Sequence, residues 1–257
     1  MGSNKIALIT GATAGIGAAT SKILAANKFD IIITGRRKDR LDELSNDLSL
    51  NKNVRVLSLN FDVRDKEQTE EVLSNLPDQW KEIDVLINNA GLASGLDHIH
   101  EGDTTDWEKM IDTNIKGILY VSRKILPGMV ERKSGHVINI SSIAGKEAYE
   151  KGNVYCGTKH AIEAITKGMR IDLVKHNIKV TSIAPGAVET EFSNVRFHGD
   201  DARAKKVYEG FTPLYADDIA EAVLFAVTRP PHVNINDLLI MPTAQANAST
   251  IHKDSAK

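Results

Sequence analysis

The sequence predicts one α/β domain, a doubly wound parallel sheet of seven strands flanked by helices on both faces. Three observations carry this. Short apolar, β-rich runs alternate with helix-length amphipathic stretches along the whole chain. Each run is nearly all apolar, as a strand must be when helices cover both sides of its sheet. The first run leads into a glycine cluster that opens a helix, the Rossmann-type arrangement of parallel strands joined by right-handed crossovers.

The strands fall at Lys5–Thr10, Ile31–Thr34, Val54–Leu59, Val85–Asn88, His136–Ile140, Lys179–Ala184 and Leu238–Met241. The helices are expected near Ile16–Asn27, Lys38–Leu50, Lys66–Leu76, Trp107–Arg132, Val154–His176 and Asp217–Thr228. No repeat, low-complexity tract or linker divides the 257 residues, a length that suits a single domain, 1–257. Two segments break the alternation, Leu92–Thr105 and Glu189–Pro213. Both follow carboxyl ends of strands, where such sheets bind ligands, so both are candidate substrate loops. The second, about 189–213, is expected to close as a lid.

Composition narrows the function. A net charge of -2 gives no long-range pull toward nucleic acid or an anionic membrane. No apolar run nears the roughly 18 residues that a bilayer span needs. The opening Met1-Gly2-Ser3 lacks the charged and apolar regions of a signal peptide. The single cysteine, Cys156, excludes an internal disulfide and suits a reducing compartment. The expectation is a cytoplasmic protein acting on small molecules.

Thr10-Gly11-Ala12-Thr13-Ala14-Gly15-Ile16-Gly17 follows the first strand and enters the first helix. Glycines there let the chain turn sharply and bring backbone N–H groups against a pyrophosphate, which the helix N-terminus also attracts. The spacing is G-x-x-x-G-x-G rather than G-x-G-x-x-G, and a tight strand–helix turn is the plain alternative. The second strand selects the cofactor. An NAD enzyme places an acid there for the adenosine ribose; here the chain reads Thr34-Gly35-Arg36-Arg37. A guanidinium fork suits a 2′-phosphate, so NADP is expected, with Arg36 as its first ligand. Arg37 either flanks the adenine or faces solvent. Asp62 either accepts from the adenine amino group, with Val63 beside the ring, or caps a helix. Asn88 and Asn89 end the fourth strand, where their amides can hold neighbouring backbone, ahead of Ala90 and Gly91.

Reducing a carbonyl without a metal needs a proton donor that can also act as a base. Tyr155 and Lys159 stand four apart on one face of a predicted helix. The ammonium, with the positive nicotinamide, is expected to lower the tyrosine pKa and to reach the nicotinamide ribose. Tyr120 and Lys124 repeat the spacing, but inside a long helix, where Tyr120 reads as a packing residue. Ser142 ends the fifth strand at the ligand-bearing edge and can join Tyr155 on the same oxygen. His98 and His100 lie close together, but no cysteine or second histidine pair accompanies them, so no metal is expected. Cys156 reads as a small packing residue.

Thr-Gly-x-x-x-Gly-Ile-Gly, Asn-Asn-Ala-Gly, the Ser142/Tyr155/Lys159 set and Pro185-Gly186 together resemble the short-chain dehydrogenase/reductase family, in order and over nearly the whole chain. The resemblance implies Asn114 as a fourth catalytic residue, positioning a water between Lys159 and solvent. It also implies that Gly186, Val188 and Thr190 cradle the nicotinamide carboxamide, and it supports a homotetramer. Long helices that are apolar beyond one stripe, with Ile111, Ile115, Ile118, Ile162 and Ile165, point the same way. Within the family the chain is most similar to NADP-dependent 3-hydroxy acid dehydrogenases of the serine and allo-threonine type. The similar stretches are Asn88–Leu92, Asp106-Trp107 with Met110–Asn114, Leu126–Arg132, Glu191–Arg196 and His232–Asn236. Short 3-hydroxy acids or their 3-oxo partners are therefore the expected substrates, with Arg196 on the carboxylate. Pairing of Arg196 with Asp200 or Asp201 is the alternative, and the apolar residues of the same segment would equally admit uncharged ketones or aldehydes. Lys146–Lys151 is unusually charged and is expected to affect substrate preference. A non-catalytic NADP sensor is the competing class; such proteins typically lack the Tyr or Lys, and this chain keeps the full set. The polar tail beyond Pro242 is expected to cross a neighbouring subunit or to lack order.

Overall fold

The computed structural model describes residues 4–254. Strands β1 (Ile6–Ile9), β2 (Asp30–Gly35), β3 (Val56–Asn60), β4 (Ile83–Asn88), β5 (Gly135–Ile140), β6 (Ile178–Pro185) and β9 (Asp237–Ile240) make one sheet in the order β3-β2-β1-β4-β5-β6-β9. Every pairing in it is parallel. The order reverses direction between β1 and β4, and at that switch point the carboxyl ends open a crevice.

Alternation along each strand builds the two layers. Ala7 and Ile9 of β1 face one core with Leu24 of α1 (Gly15–Ala26), Leu41 of α2 (Lys38–Ser49) and Val223 of α9 (Ala216–Val227). Ile6 and Leu8 face the other, with Leu73 of α3 (Lys66–Ser74), Val121 and Met129 of α5 (Gly117–Arg132), and Leu173 of α6 (Asn153–Leu173). Burying one such leucine or isoleucine contributes about 1.5–3 kcal/mol. An exposed ion pair such as Lys22–Asp47, at 2.8 Å, contributes about 1 kcal/mol or less. The two layers, rather than surface charge, hold the fold.

Three expectations need correction. The single helix expected over Trp107–Arg132 is two: α4 (Thr104–Ile111), capped by Asp103, then one π turn at Asp112–Lys116, then α5. The extra residue falls beside Asn114, whose amide leaves the helix surface to bind the backbone of Leu92. The 189–213 segment is not irregular throughout. It carries α7 (Phe192–Arg196) and α8 (Asp201–Lys206) between β7 (Val188–Glu189) and β8 (Leu214–Tyr215), which pair as a small second sheet. The described tail, to residue 254, folds back on its own chain. Gln245 bridges Ile251, and the Asp254 N–H donates to the Gly210 carbonyl at 2.7 Å. Backbone hydrogen bonds supply the order that polar composition seemed to deny it. No helix among the described residues is long and apolar enough to cross a membrane.

Candidate active site

The crevice begins at the loop between β1 and α1. Gly11 has φ +67°, and a Cβ there would stand 2.8 Å from the Ala90 Cα; at Gly17 a Cβ would stand 2.4 Å from the Gly11 carbonyl oxygen. Both positions are closed to any side chain, so the backbone itself forms the floor. Asn89 holds the loop from below, donating to the carbonyls of Thr10 (2.9 Å) and Gly11 (3.1 Å). The Thr10 hydroxyl accepts the N–H groups of Asn89 and Ala90 in return, both at 3.0 Å. Asn88 turns the other way, to Asn139 and Ser122, and ties β4 to β5 and α5. No side chain caps α1 and no acid lies in its first turn, which leaves its N–H groups open toward the crevice.

Charged residues from separate segments stand at the far mouth. Arg37 donates to the Thr13 hydroxyl at 2.9 Å and to Glu191 at 2.9 Å, and Arg40 also pairs with Glu191. Arg36 lies half-exposed with its nearest acid, Asp62, 3.6 Å away. The helix-cap reading of Asp62 does not hold, and its carboxylate is paired with Arg64. Burial opposes its charge, but Arg64, at 2.6 Å, prevails and holds the carboxyl below its usual pKa. The helix cap is Asp65 instead. Val63 packs against Gly117 at the start of α5. Sequence reasoning missed Arg40 and Glu191, which are separated by 151 residues and carry no motif.

Ser142, Tyr155 and Lys159 converge on the inner end, with Asn114 behind them. The Lys159 ammonium is almost fully buried and donates to the Ile140 carbonyl at 3.0 Å. Burial lowers its pKa to about 8. A Cβ on Gly91 would lie 3.7 Å from that nitrogen and 3.4 Å from Asn114 Oδ1. Asn114 binds Leu92 through both ends of its amide, at 2.9 and 2.8 Å, and donates to Thr158 at 3.0 Å. Tyr155 packs edge-on against Phe192, ring centres 5.7 Å apart. In the chain alone the Lys159 ammonium does not lower the Tyr155 pKa. Burial pushes the phenol pKa up, and the Tyr149 hydroxyl adds to this; Ser142 and Arg196 only partly offset them. In the chain alone desolvation outweighs the nearby charge.

Arg196 comes from α7. Its guanidinium carbon lies 5.7 Å from the Tyr155 ring centre and 5.5 Å from that of Tyr149. Nε donates to the Gly95 carbonyl at 3.3 Å, while Nη2 is buried with no hydrogen-bond acceptor among the described residues. Asp200 does not take it up; that acid caps α8. The charged stretch Lys146–Lys151 splits in two. Lys146 points away, to Glu163 at 2.7 Å and to Asp237, whereas Tyr149 lies against Arg196. Cys156 is buried as a packing residue. His98 stacks on His100, and among the described residues no three His, Cys, Asp or Glu could share a metal.

A glycine-floored crevice with arginines at one mouth and a buried tyrosine and lysine at the other fits a phosphorylated dinucleotide beside an acid–base pair. That combination defines an NADP-dependent oxidoreductase acting on alcohols and carbonyls. The chain belongs to the short chain dehydrogenase family, whose model matches residues 5–201. It is 48% identical over 250 residues to an NADP-dependent 3-hydroxy acid dehydrogenase of Salmonella typhi, covering 96% of this chain and 99% of that one. It is 41% identical over 251 residues to sulfoacetaldehyde reductase 2 of Chromohalobacter salexigens, covering 97% and 99%. Among solved structures, the closed form of serine dehydrogenase complexed with NADP+ matches with a TM-score of 0.90 and 46% identity, covering 96% of this chain and 99% of the other.

Proposed function

We propose that this NADP-dependent enzyme interconverts short 3-hydroxy acids and their 3-oxo partners, holding the substrate's acid group on Arg196. The observation that carries this is a buried guanidinium nitrogen with an unused donor, set beside the Tyr155 ring. A carboxylate two bonds from the reacting carbon can take that donor while its hydroxyl meets Tyr155. The names of the relatives are consistent with this. A 3-hydroxy acid, serine and sulfoacetaldehyde each carry an acid group near the reacting carbon.

Tyr155 gives and takes the proton, Ser142 shares the oxygen, and Lys159 steadies the nicotinamide ribose. The cofactor supplies or accepts the hydride at its nicotinamide ring. Gly186, Val188 and Thr190 hold the carboxamide. Asn114 has its amide spent on Leu92, so the water that serves Lys159 takes its main-chain carbonyl. Residues 189–213 act as the lid of this single domain, latched by His198, whose Nε2 stands 3.0 Å from Asp106. Arg196→Ala should lower kcat/KM for 3-hydroxypropanoate or serine about thirtyfold, the worth of a charge-assisted contact of about 2 kcal/mol. Uncharged alcohols of the same length should lose less than threefold. A parent that prefers those alcohols overturns the acid reading. Unchanged acid activity in Arg196→Ala removes only the role of Arg196.

Two further features belong to this reading. Leu119, Ile171 and Phe225 are exposed on α5, α6 and α9, and such faces suit a homotetramer. Ile118 and Ile162, by contrast, are already buried in the chain's own interior. Light scattering at micromolar concentration should give four times the chain mass; a monomer mass counts against it. The lone, buried Cys156 suits the cytoplasm.

A further inference from the structure

Gln245 lies in the tail, outside every motif, yet it is buried, 7% exposed. Its Oε1 accepts the Ala187 N–H at 2.8 Å, and its Nε2 donates to the Asn247 carbonyl at 3.1 Å. The other backbone group of Ala187, its carbonyl, accepts the Leu214 N–H at 2.9 Å. Ala187 is thus pinned on both sides, midway along the Pro185–Val188 turn that walls the crevice. The fit beneath the turn is close. A Cβ on Gly186 would stand 2.5 Å from the Gln245 Oε1. The glutamine is itself held: its N–H donates to the Pro242 carbonyl at 2.9 Å, and it bridges Ile251 across the tail hairpin.

We propose that Gln245 is a positioning residue for hydride transfer. Its carboxamide oxygen fixes the Ala187 N–H, and through it the height and tilt of the turn on which the nicotinamide rests. The inference builds on the reading that Gly186, Val188 and Thr190 hold the nicotinamide carboxamide. Without the acceptor, Ala187 has a half-buried N–H to satisfy and the turn can shift toward the crevice. Small displacements at a reacting ring cost rate more than affinity, because the adenosine end holds the cofactor independently.

The test compares Gln245→Leu, which keeps the bulk and loses the acceptor, with Gln245→Glu, which keeps the acceptor. In single-turnover reduction with NADPH, Gln245→Leu should transfer hydride about tenfold more slowly, with NADPH affinity within threefold of the parent. The isotope effect with NADPH deuterated at the transferred position should increase, as hydride transfer becomes more rate-limiting. Gln245→Glu should recover the rate to within threefold. A parent-like rate in Gln245→Leu overturns the proposal, and so does an equal loss in Gln245→Glu, which would show that the acceptor on Ala187 does not set the rate. The carboxamide reading is checked separately in the parent. Equal affinity for NADP and its 3-acetylpyridine analogue would remove that reading, whatever the Gln245 variants do.

Discussion

Tyr155→Phe should bind NADPH as tightly as the parent and turn over about a thousandfold more slowly. The substitution leaves the ring against Phe192 and removes only the hydroxyl, so the packing that shapes the site stays. What is lost is general acid–base catalysis, worth about a hundredfold to ten-thousandfold, while Ser142 still offers a hydrogen bond to the substrate oxygen. The pH dependence follows from the buried environment. Burial raises the Tyr155 pKa in the chain alone, so at neutral pH the group is protonated and set to donate in reduction. Alcohol oxidation needs the phenolate, and its rate should rise with pH in the parent and lose that rise in Tyr155→Phe. Buried Lys159, with its pKa near 8, is charged below that pH and loses its charge above it. Activity of Tyr155→Phe within tenfold of the parent would remove the assignment. Tyr120→Phe, in the second tyrosine–lysine spacing on α5, should leave kcat unchanged.

Much of this fold is legible because its information is local. A strand covered on both faces must be apolar at every position, so Ile31–Ile33 or Val85–Ile87 can be recognised within four residues. The glycine loop is equally local, since its turn and its close approaches occur within one segment. The π turn at Asp112–Lys116 is not legible, because one inserted residue barely changes the apolar period of α4 and α5. Nor are the contacts that tie distant segments across the crevice. Arg37 meets Glu191 at a separation of 154 residues, and Ala187 meets Gln245 at 58. The tyrosine shows a different limit. Spacing reveals that Lys159 follows Tyr155 by one helical turn, but the direction of the pKa depends on how deeply both are buried.

Arg36→Asp should change the ratio of kcat/KM for NADPH over NADH by about a thousandfold, chiefly by raising the KM for NADPH. Arg36 and Arg37 are committed to different degrees. Arg37 is engaged by Thr13 at 2.9 Å and Glu191 at 2.9 Å, and turning it to a 2′-phosphate means giving up an ion pair. Among the described residues Arg36 has only Asp62, at 3.6 Å, and its half-exposed chain can swing at little cost. Asp62 would not be orphaned by the substitution, because Arg64 holds it at 2.6 Å. The substitution removes a charge-assisted contact of about 1.5–3 kcal/mol and sets a carboxylate against the phosphate. With NADH the same carboxylate can accept from the adenosine ribose hydroxyls, so the KM for NADH should fall. Steady-state kinetics with both cofactors measures each part. Should the NADPH KM of Arg36→Asp stay within threefold of the parent while that of Arg37→Ala rises, the phosphate lies on Arg37, and Glu191 must release it whenever the cofactor binds.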